Sequence, residues 1–500
     1  MNSKEFSAAQ IINFIRTKKE DFWLRHREGR ALKLFHLAAE RVPAYRDFLK
    51  KNKIRHQKIK TFKDFQLVPQ TNKKDYLRQY PLEQLSWDGT LKKHLIVTST
   101  SGSTGEPFYF PRDSELEWES SIAHELFIGN SHHNNSKGPT LVIIGFSMGV
   151  WIGGLITYKA FEMLSQRGFP VSIITPGINK EEIFKALRLL APNYSQTILT
   201  GYPPFVKDIL DEAAGRGINL KRLNLRLLFA AEPFTEKFRD YVVKKAGVKN
   251  ALLDTMNIYG SADIGTMAFE TPLSILIRRL AVKKLELFEE IFSSIHRTPT
   301  LAQYNPLFIT FEAPEGEILL TGNNAVPLIR YAIGDRGGVF SFSQLDQIFR
   351  ARDIDLMKEV ASVKIQGAAY ELPLIFVYER IDFSTTLYGL QIYPETIREV
   401  LLEKPLHKYL TGKFTMLTKY NRMQDQYLEI NLELRKGKKA SAQFKHQALA
   451  KIVTHLRLKN SEFCELSNQL KDRVFPRLIF WPAEHPLHFR PGVKQKWVKK

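Results

Sequence analysis

One cysteine, Cys464, in 500 residues leaves no intramolecular disulfide and no cysteine-rich metal site. The histidines also lack company. His132 and His133 fall in a polar stretch, and His485 and His488 stand beside prolines without clustered acidic partners, which argues against a metal centre there. Internal repeats and low-complexity tracts are absent. The opening stretch MNSKEFSAAQIINFIRTKKEDF has no apolar core flanked by a cleavage site, so no secretory signal is read and the cytoplasm is the expected compartment. One uncharged run, Thr140 to Thr157, reaches only the lower edge of membrane-spanning length. Its four glycines favour a buried strand, LVIIG, followed by a glycine-rich turn into a helix.

Acidic residues are scarce at both ends. Residues 1–80 hold 20 Lys/Arg against 8 Asp/Glu, and residues 401–500 hold 21 against 8, within a formal net charge of +21. Such ends suit solvated helix faces, or attraction to polyanionic small molecules or an anionic membrane surface. No nucleic-acid-binding signature or repeated aromatic-basic interleaving accompanies them, so a nucleic-acid partner is not expected. At 44% hydrophobic and 25% charged the chain is globular, and its length predicts two or more domains.

Residues 1–80 carry apolar positions at helical spacing, among them Ile11, Ile12, Phe14 and Ile15, then Leu32, Leu34 and Leu37. From residue 95 onward short apolar runs (LVIIGF, VSIITP, TILTGY, LRLLFAAE) alternate with amphipathic stretches, the pattern of an α/β sheet with helical crossovers. Residues 273–297 read as a long helical pattern, a pair of helices with a packing or lid role. Past Asp382 an amphipathic helix (Ile397, Val400, Leu401), the alternating YLEINLEL and a basic tail predict a small α+β domain.

The chemistry begins at residues 98–107, TSTSGSTGEP, directly after the apolar Leu95-Ile96-Val97. Hydroxyls and glycines delivered by a strand into a tight loop build a nest of backbone N–H groups that binds phosphate. It is not a Walker A loop, since no Lys-Ser or Lys-Thr follows a glycine at the required spacing, and it lacks the third glycine of a dinucleotide fingerprint. Further stretches follow in order: YGSAD at 259–263, RYAIGDR at 330–336, RIDFSTTLYGLQIYPETI at 380–397, and the terminal RPGVKQKWVKK.

In this order the motifs resemble those of the adenylate-forming superfamily. RVPAYRDFL at 41–49, VPQTNKKDYL at 68–77 and AAEPFTEKFR at 230–239 are similar to its phenylacetate-CoA ligase-like family. The resemblance implies a large multi-sheet α/β N-terminal domain (1–382, with 1–80 as a helical lead-in) that binds ATP and acid. A smaller mobile α+β domain (383–500) would carry the catalytic lysine. It further implies activation of a carboxylic acid to an acyl-adenylate with pyrophosphate release, then transfer to a thiol, coenzyme A foremost, with Mg²⁺ as cofactor. A carrier-protein thiol or an amine as acceptor, and a catalytically inactive nucleotide-binding descendant, stay open alternatives. A homodimer and peripheral membrane contact are compatible with it.

Carried over by residue, Thr100, Ser101, Ser103 and Thr104 would hold the β- and γ-phosphates, and Gly102 and Gly105 would admit the backbone closely. Tyr259 and Gly260 would pack on adenine, with Ser261 beside them, and Asp263 would help hold Mg²⁺ in place of the usual glutamate. Glu232 is a second acidic candidate for nucleotide or metal. Asp335 would accept both ribose hydroxyls, Arg380 would reach the ribose or α-phosphate, and Asp382 would be the pivot. Lys494, then Lys496, would serve the carboxylate and α-phosphate. Phe108 stands where the family often has a lysine, and Glu379 where it has a glycine. Separately, GFSMG at 145–149 follows a strand and fits a nucleophile elbow, which makes Ser147 a hydrolase candidate.

Overall fold

The computed structural model describes residues 5–99, 108–131, 138–292, 298–378, 385–486, 488–489 and 498. The loop residues Thr100, Ser101, Gly102, Ser103, Thr104 and Gly105, as well as Arg380, Asp382, Lys494 and Lys496, lie outside them.

The N-terminal lead-in folds into helices Ala8–Thr17, Glu20–Arg41 and Pro43–Lys51. Ser7 starts the first through a capping box with Gln10, and Ile11, Ile12 and Ile15 form its buried face. Nineteen strands are found among the described residues. The first nine are β1 (Thr71–Asn72), β2 (Ile96–Ser99), β3 (Tyr109–Arg112), β4 (Thr140–Gly145), β5 (Val171–Ile174), β6 (Gln196–Gly201), β7 (Leu225–Ala230), β8 (Thr255–Ser261) and β9 (Gly265–Phe269). Then come β10 (Thr300–Gln303), β11 (Ile309–Glu312), β12 (Glu317–Gly322), β13 (Leu328–Phe340), β14 (Leu374–Tyr378), β15 (Thr385–Leu387), β16 (Leu390–Ile392), β17 (Leu410–Tyr420), β18 (Gln426–Leu434) and β19 (Arg477–Trp481).

One mixed sheet dominates, in the order β11-β12-β13-β14-β10-β9-β8-β7-β6-β4-β5, with β1 added alongside β13. The half from β8 to β5 is parallel and the half from β8 to β11 antiparallel. All six residues of β4 and all six of β6 are buried, as strands covered on both faces require, so both read as apolar runs rather than alternating ones. The apolar runs therefore correctly foretold strands. They could not foretell that half of the sheet is built from antiparallel pairs. The uncharged Thr140–Thr157 run resolves into β4 and the start of the Ile152–Gln166 helix, and no described helix is long and apolar enough to cross a membrane.

Residues 272–292 form the expected helix pair, Pro272–Lys283 and Leu285–Phe292. Leu273, Ile277, Leu287 and Ile291 join Leu345, Phe349 and Leu356 in a separate apolar cluster, which makes the pair a packing element. Beneath it lies an ion cluster. Arg239 and Arg278 are fully buried, Arg239 makes two bonds to Glu270 (2.7 and 2.8 Å), and Glu236 accepts from Arg239, Arg278 and Arg279. Burial alone would raise the Glu236 carboxyl, but the three arginines overrule it and bring it to about 2.

Strands after residue 385 pair among themselves, as the hairpin β15-β16 and the sheet β17-β18-β19. The apolar core is nonetheless continuous across the junction, with Leu387 and Ile397 in the same cluster as Phe146 and Phe205.

Candidate active site

The sheet changes from parallel to antiparallel pairing at β8, and open α/β sheets bind ligands beyond the carboxyl ends of their strands. The carboxyl end of β8 carries Tyr259, Gly260 and Ser261. A bulge between Tyr259 and Gly260 shifts the register against β9. A Cβ at Gly260 would stand 2.7 Å from the Gly265 carbonyl oxygen, so the backbones approach there as only glycine allows.

Tyr259 and Asp335, 76 residues apart, meet directly: the phenol donates to Asp335 Oδ2 at 2.6 Å. Asp335 lies on β13, and the same strand contributes Tyr331, whose hydroxyl donates to Asp263 Oδ2 at 2.7 Å. Asp263 is buried, its backbone N–H donates to Ser261 Oγ at 3.2 Å, and Lys73 Nζ donates to its Oδ1 at 3.3 Å. Six side chains from β8, the turn after it, β13 and the segment after β1 are thus held in two bonded groups, Tyr259 with Asp335, and Asp263 with Ser261, Tyr331 and Lys73.

Lys73 was not singled out by sequence reasoning, although it sits inside the VPQTNKKDYL stretch. Its position follows from pairing: β1 runs parallel to β13 with Thr71 opposite Tyr331, and Thr71 Oγ1 fastens the register to the Ile329 carbonyl at 2.9 Å. The next residue beyond β1 is therefore carried up beside Tyr331 and Asp263. Lys73 Nζ also lies 5.3 Å over the Phe110 ring. Phe110 belongs to β3, and β2 and β3 pair out to Ser99 opposite Tyr109, the root from which the Thr100–Gly105 loop springs. A cation, two carboxylates and the base of the hydroxyl-rich loop share one neighbourhood, an arrangement able to bind a polyanion and counter its charge.

Glu232 behaves differently. It is buried at the end of β7, and one oxygen accepts from the Gly389 backbone N–H while the other accepts from Gln426 Nε2 at 2.7 Å. Both oxygens face the C-terminal segment, in a role the sequence did not suggest. Gly389 has φ of +82°, and a Cβ there would stand 2.3 Å from the Tyr202 ring, so this contact requires glycine. The same face holds Tyr388 Oη donating to Asp208 at 2.8 Å, Arg473 donating to Asp208 at 3.1 Å, and Lys207 Nζ donating to Asp425 at 2.5 Å. The tail contributes Val498, bridged to Met416 of β17.

Ser147 of GFSMG is buried and bonded to Tyr202, unlike a nucleophile displayed at the top of a strand. Phe146, fully buried, packs edge-on against Tyr202 at 5.2 Å, and Trp151 Nε1 donates to Glu465 at 3.2 Å. Tyr202 Oη donates to Glu462 at 3.4 Å. Burial, then the neighbouring Glu465 carboxylate, push Glu462 up to about 8. A carboxyl raised in the folded state favours that state while protonated, so its contribution is present at low pH and fades as pH rises from the ordinary carboxylate range toward 8. Limited proteolysis near residue 385 is expected to speed up between pH 6 and 8 in the wild type and to lose that pH dependence in Glu462→Gln.

No family model matches the chain. It is similar to phenylacetate-coenzyme A ligase of Aromatoleum evansii, 22% identical over 391 residues, which cover 76% of each protein. Among solved structures, 2-hydroxyisobutyryl-CoA ligase with 2-HIB-AMP and CoA in the thioesterification state superposes with a TM-score of 0.62 at 16% identity, over 97% of this chain and 90% of that one. Its open conformation gives 0.51 at 17%, over 94% and 90%. These likenesses extend over the large sheet and the segments that follow it. The chain accordingly has the fold seen in 2-hydroxyisobutyryl-CoA ligase and is similar in sequence to phenylacetate-coenzyme A ligase.

Proposed function

We propose that this protein is an AMP-forming acid–thiol ligase: a carboxylate attacks the α-phosphate of ATP, pyrophosphate leaves, and the acyl group passes from the adenylate to coenzyme A. The observation that supports it is the convergence of Tyr259 and Asp335 beside the Asp263–Lys73 pair at the rooted end of the hydroxyl-rich loop. Attack of one anion on another needs positioning and charge neutralisation above all, and those are what such a cluster supplies.

In this reading Tyr259 and Gly260 flank the adenine, with Ser261 beside them. Asp335 accepts the ribose hydroxyls on the carboxylate already oriented by Tyr259. Thr100, Ser101, Ser103 and Thr104 hold phosphate oxygens with the loop amides, and Gly102 and Gly105 let the backbone close on them. Lys73 supplies the cation that Phe108 cannot. Magnesium suits Asp263, because this hard ion takes one or two protein carboxylates and completes its shell with phosphate and water oxygens. When bound it would neutralise phosphate charge. Arg380 reaches the ribose or α-phosphate, and Lys494 or Lys496 arrives when residues 383–500 rotate about Asp382. Glu232 then belongs to the docking surface of that rotation rather than to the metal.

Pyrophosphate release measured across a panel of carboxylic acids, with and without coenzyme A, tests this. Acid-dependent release without thiol, and thioester formed only when coenzyme A is added, is the expected result. ATP binding with no acid supporting release would overturn it in favour of an inactive descendant.

A further inference from the structure

The N-terminal helices do more than cover the sheet. Helices Ala8–Thr17 and Glu20–Arg41, together with the connection between β10 and β11, border a half-open cavity of about 400 Å³. Its walls are Phe6, Ile11, Phe22, Leu307 and Phe308. Such a volume falls within the range of small-molecule pockets, which are mostly apolar with a few polar groups that fix orientation. None of the residues of the nucleotide cluster lines it, so it is a separate compartment.

Its polar groups are mainly basic. Arg25, His26 and Arg30 line the cavity, and its acidic member, Glu5, has Lys33 as an ion-pair partner at 3.9 Å. Arg30 is only 7% exposed, and its ion pair with Glu119 spans 3.7 Å, beyond hydrogen-bond length. Arg30 Nη1 is buried with no hydrogen-bond partner among the described residues. Burial pulls this guanidinium below its ordinary value even though Glu119 and Glu115 act against it. A buried cation left short of partners is costly, and an anion arriving beside it removes that cost.

A second, independent feature points the same way. Gly29 occupies the middle of the Glu20–Arg41 helix and lines the cavity, and a Cβ built there meets nothing within 4 Å. Glycine in a helix interior is disfavoured relative to alanine, and sterics do not demand it here. Gly29 is exposed, and a side chain at this position would project at the open rim of the cavity.

We propose that this cavity binds a small amphipathic carboxylate, its alkyl or aryl body between Phe22 and Phe308 and its carboxylate at the Arg25–Arg30 end. The site is distinct from the one that activates an acid, and it gives the N-terminal helices a ligand of their own.

Isothermal titration with decanoate, below its micelle concentration, tests the proposal on the full-length protein. Wild type is expected to bind decanoate saturably, with decan-1-ol weaker by roughly tenfold for want of a charge. Gly29→Leu, which places a side chain at the open rim of the cavity on a helix that accepts leucine, should weaken decanoate by at least about tenfold while leaving acid-dependent pyrophosphate release unchanged. A photoreactive decanoate used on the wild type, independent of any variant's folding, should label peptides within residues 5–30 or 304–312. No saturable binding, decanol equal to decanoate, Gly29→Leu binding like wild type, or labelling confined to other peptides would each overturn it.

Discussion

Asp263→Asn is expected to lower acid-dependent pyrophosphate release by about 10²–10³-fold in kcat, the scale seen when one preorganised electrostatic group is removed from a charged transition state. Asparagine keeps the shape and can still receive the Tyr331 hydroxyl, so the fold should persist, with an unchanged melting temperature as the control. What is lost is the charge that Lys73 pairs with and that a hard cation would meet. Asp335→Asn should behave differently. Its partner Tyr259 stays bonded, but a neutral amide cannot accept two hydroxyls as a carboxylate does, so the KM for ATP should rise with a smaller change in kcat. Equal and modest effects of both substitutions would contradict the division of labour between them.

Glu270→Ala should destabilise the protein by about 3–5 kcal/mol, read as a shift in urea midpoint, because it strips partners from two arginines that water cannot reach. Arg239 and Arg278 are both fully buried, and Glu270 receives two bonds from Arg239 and an ion pair from Arg278 at 3.1 Å. The loss would spread to the site, since Glu270 Oε2 also accepts the Asn257 backbone N–H at 3.0 Å and so steadies β8 two residues before Tyr259. Arg352 and Glu290 provide the contrast. They lie 2.7 Å apart, but both side chains are well exposed, so Glu290→Ala should cost no more than about 1 kcal/mol. The cluster also has a pH signature. Glu236 is held at about 2, below its unfolded value, so its share of the stability is complete above the ordinary carboxylate range and lost as pH falls toward 2.

Local pattern carried much of this in advance. Apolar runs at strand length became β4, β6 and β7, the uncharged Thr140–Thr157 run became a buried strand and a helix, and the motifs at 259–263 and 330–336 came together at Tyr259 and Asp335. These features follow from periodicity and from residue types that suit one kind of chemistry, and both are written along the chain. Lys73 was hidden because its place depends on β1 adding to β13, a pairing between residues some 260 positions apart that leaves no mark on local composition. Glu232 was legible as an acid near the nucleotide motifs, but not as a contact to Gly389 and Gln426.

By itself, then, the order of residues determined which segments would be strands or helices and which motifs could serve a nucleotide, because burial period and side-chain chemistry are local properties. Only the tertiary structure decided which carboxylate faces a cation and which faces a neighbouring segment, and where glycine leaves space instead of making a turn. Those outcomes depend on distances between residues far apart in the chain, and packing alone sets such distances.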